Sequence, residues 1–193
     1  MKRGLLAGFI GLILVLFSFI SIALFSNVFW YGTFVFGLTL FLGFINYSKN
    51  RKSLFTYWER NKKDIIKIYF AYFFLGLLIE IIGRFYFNFW FAHEKLTPAI
   101  QIFEVFILAY PFAFFSIYEL YILLKSSFSS SISFFLTFII SVFLHEIPNT
   151  FVWEWVYTIP YFTFEIFNIN IAVIFGWIIL IIIPLSVEKY LSH

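Results

Sequence analysis

The chain has no cysteine, a single methionine and little charge: 12% of its 193 residues are Asp, Glu, Lys or Arg. The missing thiols exclude disulfides, thiolate metal sites and cysteine nucleophiles. Charge this sparse is foreign to ordinary soluble domains, in which about a quarter of residues are charged. Glycine-rich phosphate loops, zinc-ligand spacings and nucleophile elbows are also missing from the sequence. No metal, cofactor or nucleic-acid partner is expected.

What is abundant is hydrocarbon. Hydrophobic residues make up 63% of the chain, and phenylalanine alone contributes 32. A soluble protein of this size leaves about a third of its unfolded surface wet after folding. It has no interior large enough for this composition. Lipid removes the difficulty, so the bilayer is the expected partner.

A spanning helix needs about 20 apolar residues. Six runs qualify, at roughly 4–25, 28–47, 65–89, 99–124, 132–153 and 169–187. The expected fold is all-α: one polytopic transmembrane bundle of six helices over 1–193. Its first run, after Met1-Lys2-Arg3, outlasts a signal-peptide core and shows no small-x-small cleavage site, so it reads as a retained helix. Residues 154–168 form a longer aromatic loop, expected along the interface. Trp90, Trp153, Trp155 and Tyr157 fall where an outer aromatic belt belongs.

Orientation follows from the basic residues. With the N-terminus inside, Lys2, Arg3, Lys49, Arg51, Lys52, Arg60, Lys62, Lys63, Lys67, Lys125 and Lys189 are all cytoplasmic, and Lys95 alone is outside. That asymmetry puts both termini in the cytoplasm of a cell-membrane protein.

Ionisable groups inside a membrane are costly and mark function by default. Here they are Glu80, Arg84, Glu104, Glu119, His145 and Glu146. At ~1.5 Å per residue, Glu80, Glu104 and Glu146 reach a similar depth in the outer half, from three helices. Arg84 and Asn88 continue the face of Glu80 at helical spacing, and Asn149 lies one turn beyond His145. Arg84 has Glu80 as partner on its own helix, which leaves Glu104 and Glu146 without a cation of their own, apart from His145. A buried carboxylic acid of that kind is a usable general acid. Tyr118-Glu119, near the inner end, reads as an interfacial snorkelling pair. Glu80 precedes Pro111 by the same spacing as Glu146 precedes Trp177, so the two C-terminal hairpins read as divergent copies of one unit.

Residues 104–119, EVFILAYPFAFFSIYE, resemble the membrane-embedded lycopene cyclase family, in which a carboxylate-bearing stretch leads to Pro-Phe and then Tyr-Glu on one helix. The basic loop, Glu80 and Phe89-Trp90 look similar upstream. IFNINIAVIFGW, at 166–177, is loosely similar to another carotenoid-pathway membrane family, and helices two to four to a functionally uncharacterised bacterial membrane group. The cyclase family carries adjacent Glu-Glu where this chain has Phe103-Glu104, and only Glu146 stands for its second acidic pair. The resemblance implies an isomerase that protonates a double bond of an isoprenoid or another lipid. Glu104 would be the acid and Glu80 or Glu146 its counterpart, with Arg84, Asn88, His145 and Asn149 binding or orienting. The same buried set also fits a proton-coupled transporter or a non-catalytic membrane scaffold.

Overall fold

Backbone that crosses hydrocarbon must satisfy its own hydrogen bonds, so long apolar runs fold as helices. The computed structural model describes residues 2–49, 52–160 and 162–191. It contains α1 (Lys2–Phe25), α2 (Tyr31–Ser48), α3 (Leu54–Arg60), α4 (Lys62–Ile79), α5 (Pro98–Gln101), α6 (Tyr110–Lys125), α7 (Ser130–Val152) and α8 (Ile171–Leu191). α4 runs on as a π-helical turn, Glu80–Tyr86, and a second π-helical stretch, Ile102–Ala109, joins α5 to α6. Among the described residues, six continuous helices are long and apolar enough to cross a membrane: Gly4–Phe25, Tyr31–Ser48, Lys62–Tyr86, Pro98–Lys125, Ser130–Val152 and Ile171–Lys189.

Polar side chains set the differences from the expected boundaries. The second span starts at Tyr31 rather than near 28, because Asn27 Oδ1 turns back to accept the Phe29 N–H at 3.0 Å. Asn61 and Ser129 cap α4 and α7 and start both earlier than hydropathy does. Ser53 likewise caps α3, an unexpected short helix in the basic loop. Arg51, counted in that loop, lies outside the described residues.

The protein is mostly helical, as expected, and its loops add two short antiparallel ribbons. β1 (Trp90–Ala92) pairs antiparallel with β2 (Trp155–Tyr157), and β3 (Glu165–Ile166) with β4 (Ile169–Asn170). The loops that carry these strands are rich in aromatic and β-branched residues, which suit paired strands.

α2 and α6 lie at the centre of the bundle. Trp30, Phe34, Val35 and Leu38 fill the core on one side, and Tyr72, Phe114, Ile117 and Ile181 on the other. The buried face of α7 is polar: Ser133, Thr137, Ser141, His145 and Asn149 repeat every fourth residue and are all nearly sealed. Small hydroxylated residues let helices approach closely where hydrophobic burial gives no drive. The outward faces carry Leu6, Phe9, Phe74, Phe135, Phe175 and Ile179, each more than half exposed.

Candidate functional site

Three carboxylate sites lie at one end of the bundle, joined by the β1–β2 ribbon. Glu80 opens the π-helical turn of the third span. Its Oε1 accepts from Trp90 Nε1 at 3.2 Å and from the Tyr110 hydroxyl at 3.0 Å. Gly76 and Gly83 flank it on the same helical face. A Cβ at Gly76 would meet Tyr110 at 2.4 Å, and one at Gly83 would meet Trp90 at 1.9 Å. The two glycines therefore form the niche that admits both aromatic donors. Arg84 Nη1 stands 3.7 Å from Glu80 Oε2 and donates to Gln101 Oε1 at 2.9 Å, so the expected intrahelical pair is present.

Glu146 repeats the arrangement. Its carboxylate accepts from Trp155 Nε1, the Tyr157 hydroxyl and Trp177 Nε1, the last at 2.8 Å. In each hairpin the first helix supplies a glutamate, the following strand supplies aromatic donors, and the next helix supplies one more: Tyr110 in one case, Trp177 in the other. The equivalent strands then pair, with Trp90 opposite Tyr157. The two first helices both end near a left-handed residue, Asn88 at φ 53 and Trp153 at φ 54.

The third site lies at the start of α2. Glu104 Oε1 accepts the Gly32 N–H at 2.8 Å, and Glu154 Oε2 accepts the adjacent Tyr31 N–H at 3.3 Å. Two acids distant in sequence thus meet at one helix N-terminus, whose unpaired amides and dipole favour negative charge. A Cβ at Gly32 would lie 2.7 Å from Glu104 Oε1, so the close approach requires glycine. The Tyr31 hydroxyl lies 2.7 Å from His145 Nδ1, which links this site to α7. Asn149 brackets Trp155, donating to its carbonyl at 2.8 Å and accepting its N–H at 3.2 Å.

No family model, curated protein or solved structure matches this chain. The likeness of residues 104–119 to the lycopene cyclase motif rests on those residues alone.

The expected trio divides. Glu80 and Glu146 each bond to aromatic donors of their own hairpin, while Glu104 turns to α2 and Glu154. Among the described residues no hydrogen bond joins Glu80, Glu104 and Glu146 directly. Asn88 stands apart: it is exposed, and its backbone carbonyl accepts from Thr158. Grooves of about 460 and 150 Å³ open on the bundle surface, and none of these carboxylates lines either one.

Sequence reasoning missed Glu154, Tyr31, Tyr110 and the α2 amides. It also misplaced Glu119, which does not snorkel. That side chain is fully buried and accepts from Asn46 Nδ2 at 2.8 Å and from the Leu54 N–H at 2.6 Å. Tyr57 of α3 donates to Glu188 Oε2 at 2.8 Å. Glu119 and Glu188 thus hold the short helix α3 against the bundle.

Burial, and after it the Glu104 carboxylate, raise Glu154 well above the usual glutamate value of about 4.3; the Tyr31 N–H acts in the opposite sense. Between the ordinary and the raised value, the folded protein holds a proton that the unfolded chain has lost. Stability therefore falls as pH rises through that window. The melting temperature in detergent is expected to decline from about pH 5 upward, and Glu154→Gln to flatten the decline. An unchanged slope in that variant would remove Glu154 as the cause.

Proposed function

We propose that the chain is a multi-pass cell-membrane protein with both termini cytoplasmic, whose outer half is an acid site for an isoprenoid or another lipid. The observation that supports this reading best is the Glu104–Glu154 pair on adjacent amides of α2. The resemblance to lycopene cyclases asks for two neighbouring acids, and residue 103 is phenylalanine. Glu154 supplies the second acid from the loop after α7, in place of the expected counterpart, Glu80 or Glu146.

The pair is enclosed, with Glu104 7% and Glu154 2% exposed, so a substrate double bond must enter between the helix ends to reach it. Glu104 lies on a π-helical stretch, a feature frequent at functional sites. Its neighbours Phe103 and Ile107 are exposed on the outward face. A carboxylic acid of the pair adds its proton to one carbon of a double bond, leaving a carbocation and a carboxylate. A second double bond of the substrate attacks the cation, a ring closes, and the carboxylate takes a proton back. Atoms and electrons balance without a redox partner. Glu80 and Glu146 hold the β1–β2 ribbon over the site. Arg84 and Asn149 fix Glu80 and the ribbon, and His145 orients Tyr31.

Co-expression in carotenoid-producing bacteria tests the reading. Cyclised pigment is the expected result; unchanged pigment beside well-folded protein overturns cyclisation. A second reading, a non-catalytic scaffold, has its own support: each of these carboxylates already accepts hydrogen bonds from another element. Under that reading, substitutions that remove the acceptor oxygens lower folded yield and change nothing else.

A further inference from the structure

The β3–β4 hairpin carries the most exposed apolar cluster outside the spanning helices. Phe162 is 53% exposed, Phe164 63%, Ile166 41% and Phe167 68%. The tip is a two-residue turn in which Phe167 and Asn168 both have positive φ, 52° and 61°. Such turns favour asparagine or glycine, and a bulky aromatic residue there is strained. A phenylalanine held at this position points to a role for the ring.

The tip does not rise above the bundle. The Phe167 ring lies 6.2 Å from that of Phe143, and Ile166 and Phe167 share a shallow groove with Phe138 and Ile139. Phe143 precedes Val152, the last residue of α7, by nine positions. At ~1.5 Å per residue the tip therefore lies roughly 13 Å below the outer end of that helix. Half of a bilayer's hydrocarbon is about 15 Å thick.

Non-helical backbone at that depth must satisfy its own polar groups, and the hydrogen bonds of this hairpin are made within it and to the residues beside it. Glu165 pairs with Asn170 and Ile166 with Ile169. The buried Asn170 side chain donates to the Phe162 carbonyl at 2.5 Å and accepts the Ala172 N–H at 2.9 Å. The Ile171 N–H reaches the Phe164 carbonyl at 3.0 Å. Glu165, the one charge of the hairpin, opens β3, roughly 7 Å along the strand from the tip. The exposed rings continue the apolar outward faces of α7 and α8, at Phe135, Phe175 and Ile179.

We propose that this hairpin is a lipid-inserted element: it dips into the outer leaflet and packs Phe164, Ile166 and Phe167 against acyl chains, instead of lying along the interface. The proposal rests on the membrane reading above.

The chain has no cysteine, so single-cysteine spin labels are free of background. Labels go on Phe167→Cys, on Phe135→Cys as the lipid-facing helix control, and on Glu94→Cys as the aqueous control, all in vesicles. Collision with oxygen, which concentrates in lipid, is compared with collision with a water-soluble nickel chelate. The expected result is several-fold preference for oxygen at Phe167→Cys, close to that at Phe135→Cys, and the reverse at Glu94→Cys. Nickel reaching Phe167→Cys but not Phe135→Cys overturns this proposal and leaves the membrane reading standing. Nickel reaching both overturns the membrane reading. Exclusion of both reagents at Phe167→Cys means the tip is covered by protein and also overturns the proposal. Phe164→Cys replaces Phe167→Cys if the latter does not fold.

Discussion

Replacing Glu146 with leucine is expected to destabilise the protein by about 2–5 kcal/mol. The side-chain volume is nearly kept, so the effect isolates the polar contacts. Trp155, Tyr157 and Trp177 lose their shared acceptor at once. Hydrogen bonds between helices in membranes average ~0.6 kcal/mol, which alone gives about 2 kcal/mol. A buried donor left unsatisfied adds about 1–3 kcal/mol, and the Trp177 indole, 3% exposed, is the one with least access to another partner. Glu146→Gln keeps an acceptor oxygen and is expected to cost about 1 kcal/mol, in line with one weakened hydrogen bond. Unfolding in a denaturing-detergent titration, followed by tryptophan fluorescence, reads both. A loss under about 0.5 kcal/mol for the leucine variant would mean the three donors are met elsewhere. Glu80→Leu removes the acceptor of Trp90 and Tyr110 and also leaves Arg84 without its carboxylate, so the two hairpins are expected to respond alike.

The spans were legible because hydrocarbon demands length and hydropathy in one continuous run, and each of the six expected runs overlaps an observed helix. Their ends were less legible, because single polar side chains decide them: Asn27 delays α2, and Asn61 advances α4. The Glu80–Arg84 pair was legible because i,i+4 spacing forces proximity on a helix. The spacing shared by Glu80–Pro111 and Glu146–Trp177 was also readable, and the donors do lie about one hairpin downstream, at Tyr110 and Trp177. The α2 site was not legible. Its donors are backbone amides, which are silent in a sequence, and its second acid, Glu154, looks like an ordinary loop residue until the chain brings it back to Tyr31. Glu119 misled for a different reason. Its position near a helix end suggested an interface, but α3 folds over that end and seals it. Helix two carries no charge of its own, yet it receives Glu104, Glu154 and Glu119.

If the outer pair is an acid site, Glu104→Gln is expected to fold normally and to lower product formation by about 100- to 10,000-fold, the usual range for a general acid. The amide keeps an oxygen for the Gly32 N–H, so the cap on α2 survives, but it has no proton to deliver. Gly32→Ala tests the same site from the opposite side. Its new methyl carbon would sit 2.7 Å from Glu104 Oε1, so the carboxylate must move while its acidity remains. Activity is expected to fall there too, because a misplaced acid loses alignment with the reacting carbon. Pigment analysis reads the chemistry, and size-exclusion of the solubilised protein reads the fold. Under the scaffold reading no variant changes pigment, and Glu104→Leu, which strips the Gly32 N–H of its acceptor, lowers folded yield where Glu104→Gln does not. Full turnover by Glu104→Gln would remove Glu104 as the proton donor, whatever the reaction proves to be.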